Sequence, residues 1–137
     1  MKTRTDVVLI LWNSDVIDLL SWVLRDRNLT SCGIEPREGV DKMEDLIVSC
    51  SPSVVVFDLE PPYDRSAAVA MHLMDRFAHV AFVMTCADSA YAVKRVPWLS
   101  GHPLFQKPYE MDAIVNVVQS MTNTAPKNAV ALSVGAC

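Results

Sequence analysis

Three residues of the sequence, Asp58, Thr85 and Lys107, have the types needed to transfer a phosphoryl group onto an aspartate. A carboxylate can attack phosphorus as a nucleophile and form an acyl phosphate. A threonine hydroxyl can donate a hydrogen bond to one phosphoryl oxygen, and a lysine ammonium can neutralise another. Taken singly, each has a simpler interpretation, since an aspartate after a strand often caps a helix and a lone lysine is usually solvated. Only a shared position in the fold would favour the chemistry.

That shared position follows from the apolar pattern around the three residues. Short apolar runs, the second of them the weakest, predict buried strands at residues 7–11, 30–35, 54–57, 80–84 and 104–106. Amphipathic segments between them predict helices that start near residues 16, 40, 67, 89 and 111, the last ending at residue 121. Strands that alternate with helices form a parallel sheet covered on both faces. Because ligands collect beyond the carboxyl ends of such strands, the carboxylate, hydroxyl and ammonium are expected to meet there.

The bulk composition fits one cytoplasmic domain. With 137 residues, 51% of them apolar, the chain can bury a single core; we place one domain at residues 1–121 and a tail, expected to be flexible, at residues 122–137. No apolar stretch approaches the roughly 20 residues of a membrane span, and no secretory signal is evident. The four cysteines are too scattered for a zinc site. A net charge of −4 without a basic stripe argues against nucleic-acid binding.

At these three residues and at two prolines, the sequence resembles the receiver domain of two-component response regulators. Asp58 ends a strand and has Pro62 four residues on, Thr85 closes the next strand, and Lys107 is followed by Pro108. The resemblance covers about residues 7–121 and implies a flavodoxin-like α/β fold: a doubly wound (βα)5 three-layer sandwich with a five-stranded parallel sheet in the order 2-1-3-4-5. It also implies that Asp58 accepts a phosphoryl group from a phosphohistidine of a histidine kinase or phosphotransfer protein. Thr85 and Lys107 would bind that group, and the Lys107–Pro108 peptide bond would be cis.

An acidic pair that the family carries at the end of its first strand is missing. In the resembling family these two residues hold Mg²⁺ together with the acceptor aspartate, whereas this chain has Trp12 and Asn13. The carbonyl oxygen of Asn13 and the side chain of Glu60 could supply weak replacement ligands beside Asp58, while Asp15 is interpreted as a helix cap. Because Mg²⁺ dehydrates reluctantly and prefers anionic oxygens, its binding is expected to be weak, and no other cofactor is indicated.

A second departure concerns the family's conformational switch, which pairs the threonine with an aromatic residue three positions before the lysine. That position is Leu104, so the usual coupling between hydroxyl and ring cannot operate. Phe105 is adjacent but is expected to point to the opposite face of the strand. Tyr109 occupies a position where the family often has phenylalanine, and it is interpreted as a packing residue. Cys86 is interpreted as a small buried filler and not as a redox sensor.

The sequence leaves more than one function open. The leading hypothesis is a single-domain response regulator in a phosphorelay, an atypical receiver and phosphoprotein that signals through contact with an unidentified downstream protein. Such a chain would catalyse at most its own phosphorylation and dephosphorylation. The alternative is a pseudo-receiver that binds a partner protein independently of phosphorylation. A hydrolase with Asp58 as nucleophile and Glu60 as general acid is a weaker third hypothesis, because a cap domain is lacking. No membrane or nucleic-acid partner is expected, and homodimer formation stays open.

We predict that titration with Mg²⁺ leaves the fluorescence of Trp12 nearly unchanged at concentrations that saturate an ordinary receiver domain. The physical reason is that an indole and a neutral amide replace two carboxylates, which removes two formal negative charges from the site. Tight, ordinary Mg²⁺ binding in the fluorescence titration would contradict this prediction.

Overall fold

The computed structural model describes residues 4–124, which form one parallel sheet between two layers of helices. The five strands are β1 (Val7–Ile10), β2 (Ser31–Ile34), β3 (Val54–Asp58), β4 (Ala81–Cys86) and β5 (Leu104–Gln106). The helices are α1 (Ser14–Asp26), α2 (Val40–Cys50), α3 (Tyr63–Arg76), α4 (Ser89–Arg95) and α5 (Met111–Thr124), with 3₁₀ turns at Pro36–Glu38 and Pro97–Gly101. The strand order β2-β1-β3-β4-β5, with every pair parallel, confirms the predicted flavodoxin-like α/β fold.

The central strands are buried because helices cover both faces of the sheet. All four residues of β1 and all five residues of β3 are buried. Alternate side chains enter different layers: Val8 and Ile10 pack with α2, α3 and α4, whereas Val7 and Leu9 pack with α1 and α5. This two-sided burial explains why the strands read in the sequence as continuous apolar runs without alternation.

The register of the sheet aligns the strand ends that carry the polar residues. β1 has β2 on one side and β3 on the other, so the winding reverses there and opens a crevice beyond the carboxyl ends of β1 and β3. Asp58 of β3 lies opposite Thr85 of β4. Thr85 in turn lies opposite Phe105 of β5, just before Lys107. The fold therefore places the three candidate residues at one edge of the sheet.

The start of α1 corrects the interpretation of Asp15. Asn13 is the N-cap, because its side-chain oxygen accepts a hydrogen bond from the backbone N–H of Asp15 at 2.8 Å. Asp15 lies in the first helical turn, so its assignment as the cap was wrong. An N-cap residue needs the extended backbone that Asn13 adopts, with φ of −109° and ψ of 115°.

Two other helices are longer than the apolar pattern predicts. α3 begins at Tyr63, directly after Pro62, and its first turn contains Asp64, Arg65 and Ser66, which carry no apolar period. α5 continues to Thr124, so the first residues of the predicted tail are helical; residues 125–137 of that tail lie outside the described residues. Even so, no helix within residues 4–124 is both long enough and apolar enough to cross a membrane.

Arg27 joins the two helices on one face of the sheet. From the C-cap of α1, its guanidinium donates to the side chains of Asn116 at 2.8 Å and Gln119 at 3.0 Å. The same group forms an ion pair with Asp112 at 3.3 Å. All three partners lie on α5. These contacts hold α1 and α5 side by side, and both helices contribute walls to the cavity described below.

We predict that Gly33→Ala lowers the free energy of unfolding by about 1–3 kcal/mol, the usual range for an added group in a packed contact. Gly33 lies in β2, and a Cβ there would overlap the side chain of Ile17 on α1, a stiff β-branched residue. Gly101→Ala is the matched control, because a Cβ at Gly101 has no neighbour within 4 Å. Urea denaturation measures both variants; equal unfolding free energies would contradict the close approach of α1 to β2.

Candidate functional site

The carboxylate of Asp58 is the centre of a hydrogen-bonded cluster at the carboxyl edge of the sheet. Asp58 is the last residue of β3 and is 2% exposed. The Thr85 hydroxyl donates to Asp58 Oδ1 at 2.9 Å. Lys107 Nζ lies 2.7 Å from Oδ1 and 2.8 Å from Oδ2. The structure thus brings the three residues predicted from the sequence into direct contact.

A fourth donor, the backbone N–H of Trp12, is not predicted by the sequence. It donates to Asp58 Oδ2 at 3.2 Å from the loop that follows β1. A backbone donor has no side-chain signature, and the only available signal is the strand order, which places this loop beside the end of β3. Each carboxylate oxygen now has two donors, which is the compensation that a buried charge requires.

Strand pairing sets the positions of Thr85 and Lys107. Thr85 is fully buried inside β4 and lies next to Asp58 across the β3–β4 ladder. The backbone N–H of Lys107 donates to the carbonyl of Cys86 at 2.8 Å, which extends the β4–β5 pairing beyond the end of β5. The Lys107–Pro108 peptide bond is cis, as the resemblance implied. The Lys107 side chain is 42% exposed, so its charge is shared between Asp58 and solvent.

A cavity of about 290 Å³, termed the Tyr109 cavity, opens beside this cluster. Its polar lining comes from Asn13, Asp58, Lys107 and the phenol of Tyr109, and the remaining wall is apolar, made of Leu11, Val16, Pro108 and Met111. Burial, followed by the negative charge of Asp58, raises the pKa of Tyr109 to about 12. The phenol therefore remains a neutral hydrogen-bond donor at physiological pH.

A second cavity, of about 320 Å³ and termed the Trp12 cavity, also borders Asp58. Trp12 and Phe57 form part of its apolar wall, and Glu60 lines it as well. The guanidinium of Arg37 lies over the Trp12 ring, 5.9 Å from its centroid. The indole nitrogen is buried and finds no hydrogen-bond partner within the described residues. An apolar wall thus occupies the position where the resembling family has an acid.

The residues expected to bind Mg²⁺ weakly, Asp58, Asn13 and Glu60, offer few free anionic oxygens. The side-chain oxygen of Asn13 is engaged in capping α1, and Glu60 lines the Trp12 cavity but not the Tyr109 cavity. Both oxygens of Asp58 already accept hydrogen bonds from protein donors. Among residues 4–124, no group of three or more His, Cys, Asp or Glu side chains could hold a metal ion. Asp58 and Glu60 are the two carboxylates that line the Trp12 cavity, and neither Trp12 nor Asn13 adds a negative charge there.

Leu104 and Phe105 lie on opposite faces of β5, as the sequence predicted for Phe105. Leu104 packs against the hydrophobic layer of α2, α3 and α4, whereas Phe105 packs against the layer of α1 and α5 on the opposite face. Phe105 makes an edge contact with Tyr109, with ring centroids 6.4 Å apart. Cys86 is fully buried in the same layer as Leu104, and burial raises the pKa of its thiol. Burial and a raised pKa favour the interpretation of Cys86 as a packing residue.

Comparison with solved structures defines the fold, although no protein-family model and no characterised protein matches the sequence. A sensor protein from Polaromonas sp. JS666 matches with a TM-score of 0.72 at 13% identity, over 89% of this chain and 98% of that chain. The signal receiver domain of a putative LuxO repressor protein from Vibrio parahaemolyticus matches with a TM-score of 0.71 at 16% identity, over 94% of this chain and 98% of that chain. The receiver domain of nitrogen regulatory protein C matches with a TM-score of 0.69 at 19% identity, over 90% of this chain and 98% of that chain. The chain therefore has the fold of a response regulator receiver domain.

We predict that Lys107→Met lowers the free energy of unfolding by about 1–3 kcal/mol, because it leaves a carboxylate that is 3% exposed without its cationic partner. The loss stays below that of a fully buried pair, since the Lys107 side chain is 42% exposed. Lys42→Met, at an exposed position of α2, is the control and should change stability by less than about 0.5 kcal/mol. Chemical denaturation compares the two variants; equal stability would show that the ion pair contributes little.

Proposed function

We propose that this protein is a single-domain response regulator that accepts a phosphoryl group on Asp58 and signals by contact with other proteins. The observation that carries the proposal is the direct contact of one buried carboxylate with a hydroxyl and an ammonium, at the carboxyl edge of a receiver-type sheet. A purely structural aspartate needs no space beside it. Asp58 and Lys107 both border the Tyr109 cavity of about 290 Å³, which is room enough for a phosphoryl group.

Phosphoryl transfer onto Asp58 requires few changes at such a site. One Asp58 oxygen attacks phosphorus and forms a P–O bond, while the P–N bond of a phosphohistidine or phosphoramidate breaks. The leaving nitrogen keeps the electron pair and takes up a proton. Thr85 and Lys107, which already contact the carboxylate, would then bind two of the phosphoryl oxygens. The signal would end by hydrolysis: water adds to phosphorus, the P–O bond to Asp58 breaks, and inorganic phosphate leaves.

The partners in this proposal are proteins. A histidine kinase or a histidine phosphotransfer protein would be the donor in a phosphorelay, and one phosphohistidine would be consumed for each Asp58 that is phosphorylated. The chain would modify itself and turn over no free substrate, so it would be a signalling domain and not an enzyme in the usual sense. The net charge of −4 favours a protein over a nucleic acid as the downstream target. A cytoplasmic location would suit this role.

A second function, that of a pseudo-receiver that binds a partner without phosphorylation, is favoured by one specific observation. Thr85, Lys107 and the Trp12 N–H already satisfy both oxygens of Asp58, and a buried carboxylate that is fully hydrogen-bonded can act as a structural anchor. Leu104 supports the same alternative, because β5 has no aromatic ring at the switch position to rearrange. Asp58 would then stay unmodified and the partner surface would be constitutive.

Incubation with acetyl phosphate or phosphoramidate distinguishes the two functions. We predict a mass increase of one phosphoryl group in the wild-type protein, with or without Mg²⁺. The increase should be absent in Asp58→Asn, since an amide cannot act as the nucleophile. Intact-protein mass spectrometry measures the adduct, and its release by hydroxylamine identifies an acyl phosphate.

Asp75→Asn is the matched control for this experiment. Asp75 is an exposed carboxylate of α3 that borders neither the Tyr109 cavity nor the Trp12 cavity, so the variant should be labelled like the wild type. A folded wild-type protein that acquires no adduct would favour the pseudo-receiver. Turnover of a free phosphoester would favour a hydrolase.

A further inference from the structure

A phosphoryl group on Asp58 would present three oxygens, and Thr85 and Lys107 supply donors for two of them. In the resembling family a metal ion helps to neutralise the group, but residues 4–124 do not assemble a metal site. We infer that the side-chain amide nitrogen of Asn13 and the hydroxyl of Tyr109 bind the third oxygen, so that two neutral donors take the place of the metal ion. Their role rests on the proposed acceptor function of Asp58.

Asn13 is fixed by the helix that it caps. Its Oδ1 accepts the N–H of Asp15 at 2.8 Å, and its backbone carbonyl accepts the N–H groups of Val16 and Ile17, each at 3.1 Å. The amide nitrogen takes no part in these contacts and makes no hydrogen bond within the described part of the chain. Because Asn13 lines the Tyr109 cavity together with Asp58, this nitrogen is an available donor beside the acceptor carboxylate.

Tyr109 is fixed by its neighbours, and its hydroxyl makes no hydrogen bond within the described residues. Its ring packs against Phe105, with centroids 6.4 Å apart, and it follows the Lys107–Pro108 pair in the cavity wall. Tyr109 and Asp58 line the same cavity, and the charge of Asp58 contributes, after burial, to the raised pKa of the phenol. Phenylalanine is common at this position in the resembling family, so the hydroxyl is a group that this chain adds to an otherwise ordinary packing residue.

The apolar wall of the Tyr109 cavity makes neutral donors effective. Leu11, Val16 and Met111 line the cavity beside the donors, and a hydrogen bond to an anion is stronger next to apolar surface than in bulk water. Preorganised neutral donors stabilise oxyanions in the same way in acyl-transfer sites. The indole of Trp12 lines the other cavity and therefore cannot donate into this one.

Phosphoramidate labelling in the absence of Mg²⁺ tests the two donors. Tyr109→Phe removes only the hydroxyl, and Asn13→Ser removes the amide while keeping an oxygen that can cap α1. Each variant should lower the initial labelling rate of Asp58 by about two- to tenfold, which corresponds to the loss of one hydrogen bond. Tyr91→Phe is the matched control, because it removes a hydroxyl from an exposed tyrosine of α4 and should be labelled like the wild type. Thermal unfolding verifies that all variants are folded.

A binding measurement makes the test independent of labelling. In Asp58→Asn the repulsion between the carboxylate and an anion is removed, so inorganic phosphate can be titrated while the side-chain amide resonance of Asn13 is followed by NMR. Phosphate should shift this resonance. Adding Tyr109→Phe should raise the dissociation constant of phosphate by about two- to tenfold, for the same reason as above.

The possible results separate the role of the two donors from the role of Asp58. If the wild-type protein is labelled and neither variant changes the labelling rate, the role of Asn13 and Tyr109 is overturned and Asp58 stays the acceptor. The same holds if Tyr109→Phe does not affect phosphate binding. An unlabelled wild-type protein whose Asp58→Asn form binds phosphate through Tyr109 refutes the acceptor function, while the anion site stands. Absence of both labelling and phosphate binding refutes both.

Discussion

The buried carboxylate of Asp58 needs hydrogen-bond donors and a positive charge, and the surrounding sheet has to supply them. Asp58 is costly to bury alone, and its compensation comes from parts of the chain that are far apart in sequence. Lys107 reaches it from the end of β5, Thr85 from β4, and the Trp12 N–H from the loop after β1. β1 and β4 must therefore pair correctly with β3, and β5 with β4, before the charge is satisfied. A slip of one residue in β4 would turn Thr85 to the other face of the sheet and remove its hydrogen bond.

Two residues after β1 determine how this site differs from the family that it resembles. Trp12 contributes a backbone donor and an apolar wall, whereas Asn13 caps α1 and keeps its amide nitrogen beside the Tyr109 cavity. Neither side chain brings a negative charge. The replacement of the acidic pair removes two formal negative charges beside Asp58, while the order of the five strands is that of the resembling family.

Hydrogen bonds join the start of α4 to β5 and to α3 near the carboxyl edge of the sheet. Ser89 at the start of α4 donates to Gln106 Oε1 from its backbone N–H at 2.9 Å and from its hydroxyl at 3.0 Å. The N–H of Asp88 donates to the hydroxyl of Tyr63 at 3.2 Å, which adds α3 to the same group of contacts. These bonds fix α3, α4 and β5 relative to one another beside the ends of the strands.

The fold class and the three principal side chains could be predicted from the sequence, and the strand order from the resemblance. Apolar runs such as residues 54–57 are stable as strands covered on both faces, and their alternation with helices implies a parallel sheet whose strand ends meet at one edge. The donor of Trp12, the cap at Asn13 and the position of Glu60 in the lining of the Trp12 cavity required the folded chain. All three lie in connections between elements, where no periodicity exists and where contacts with distant strands and helices set the backbone.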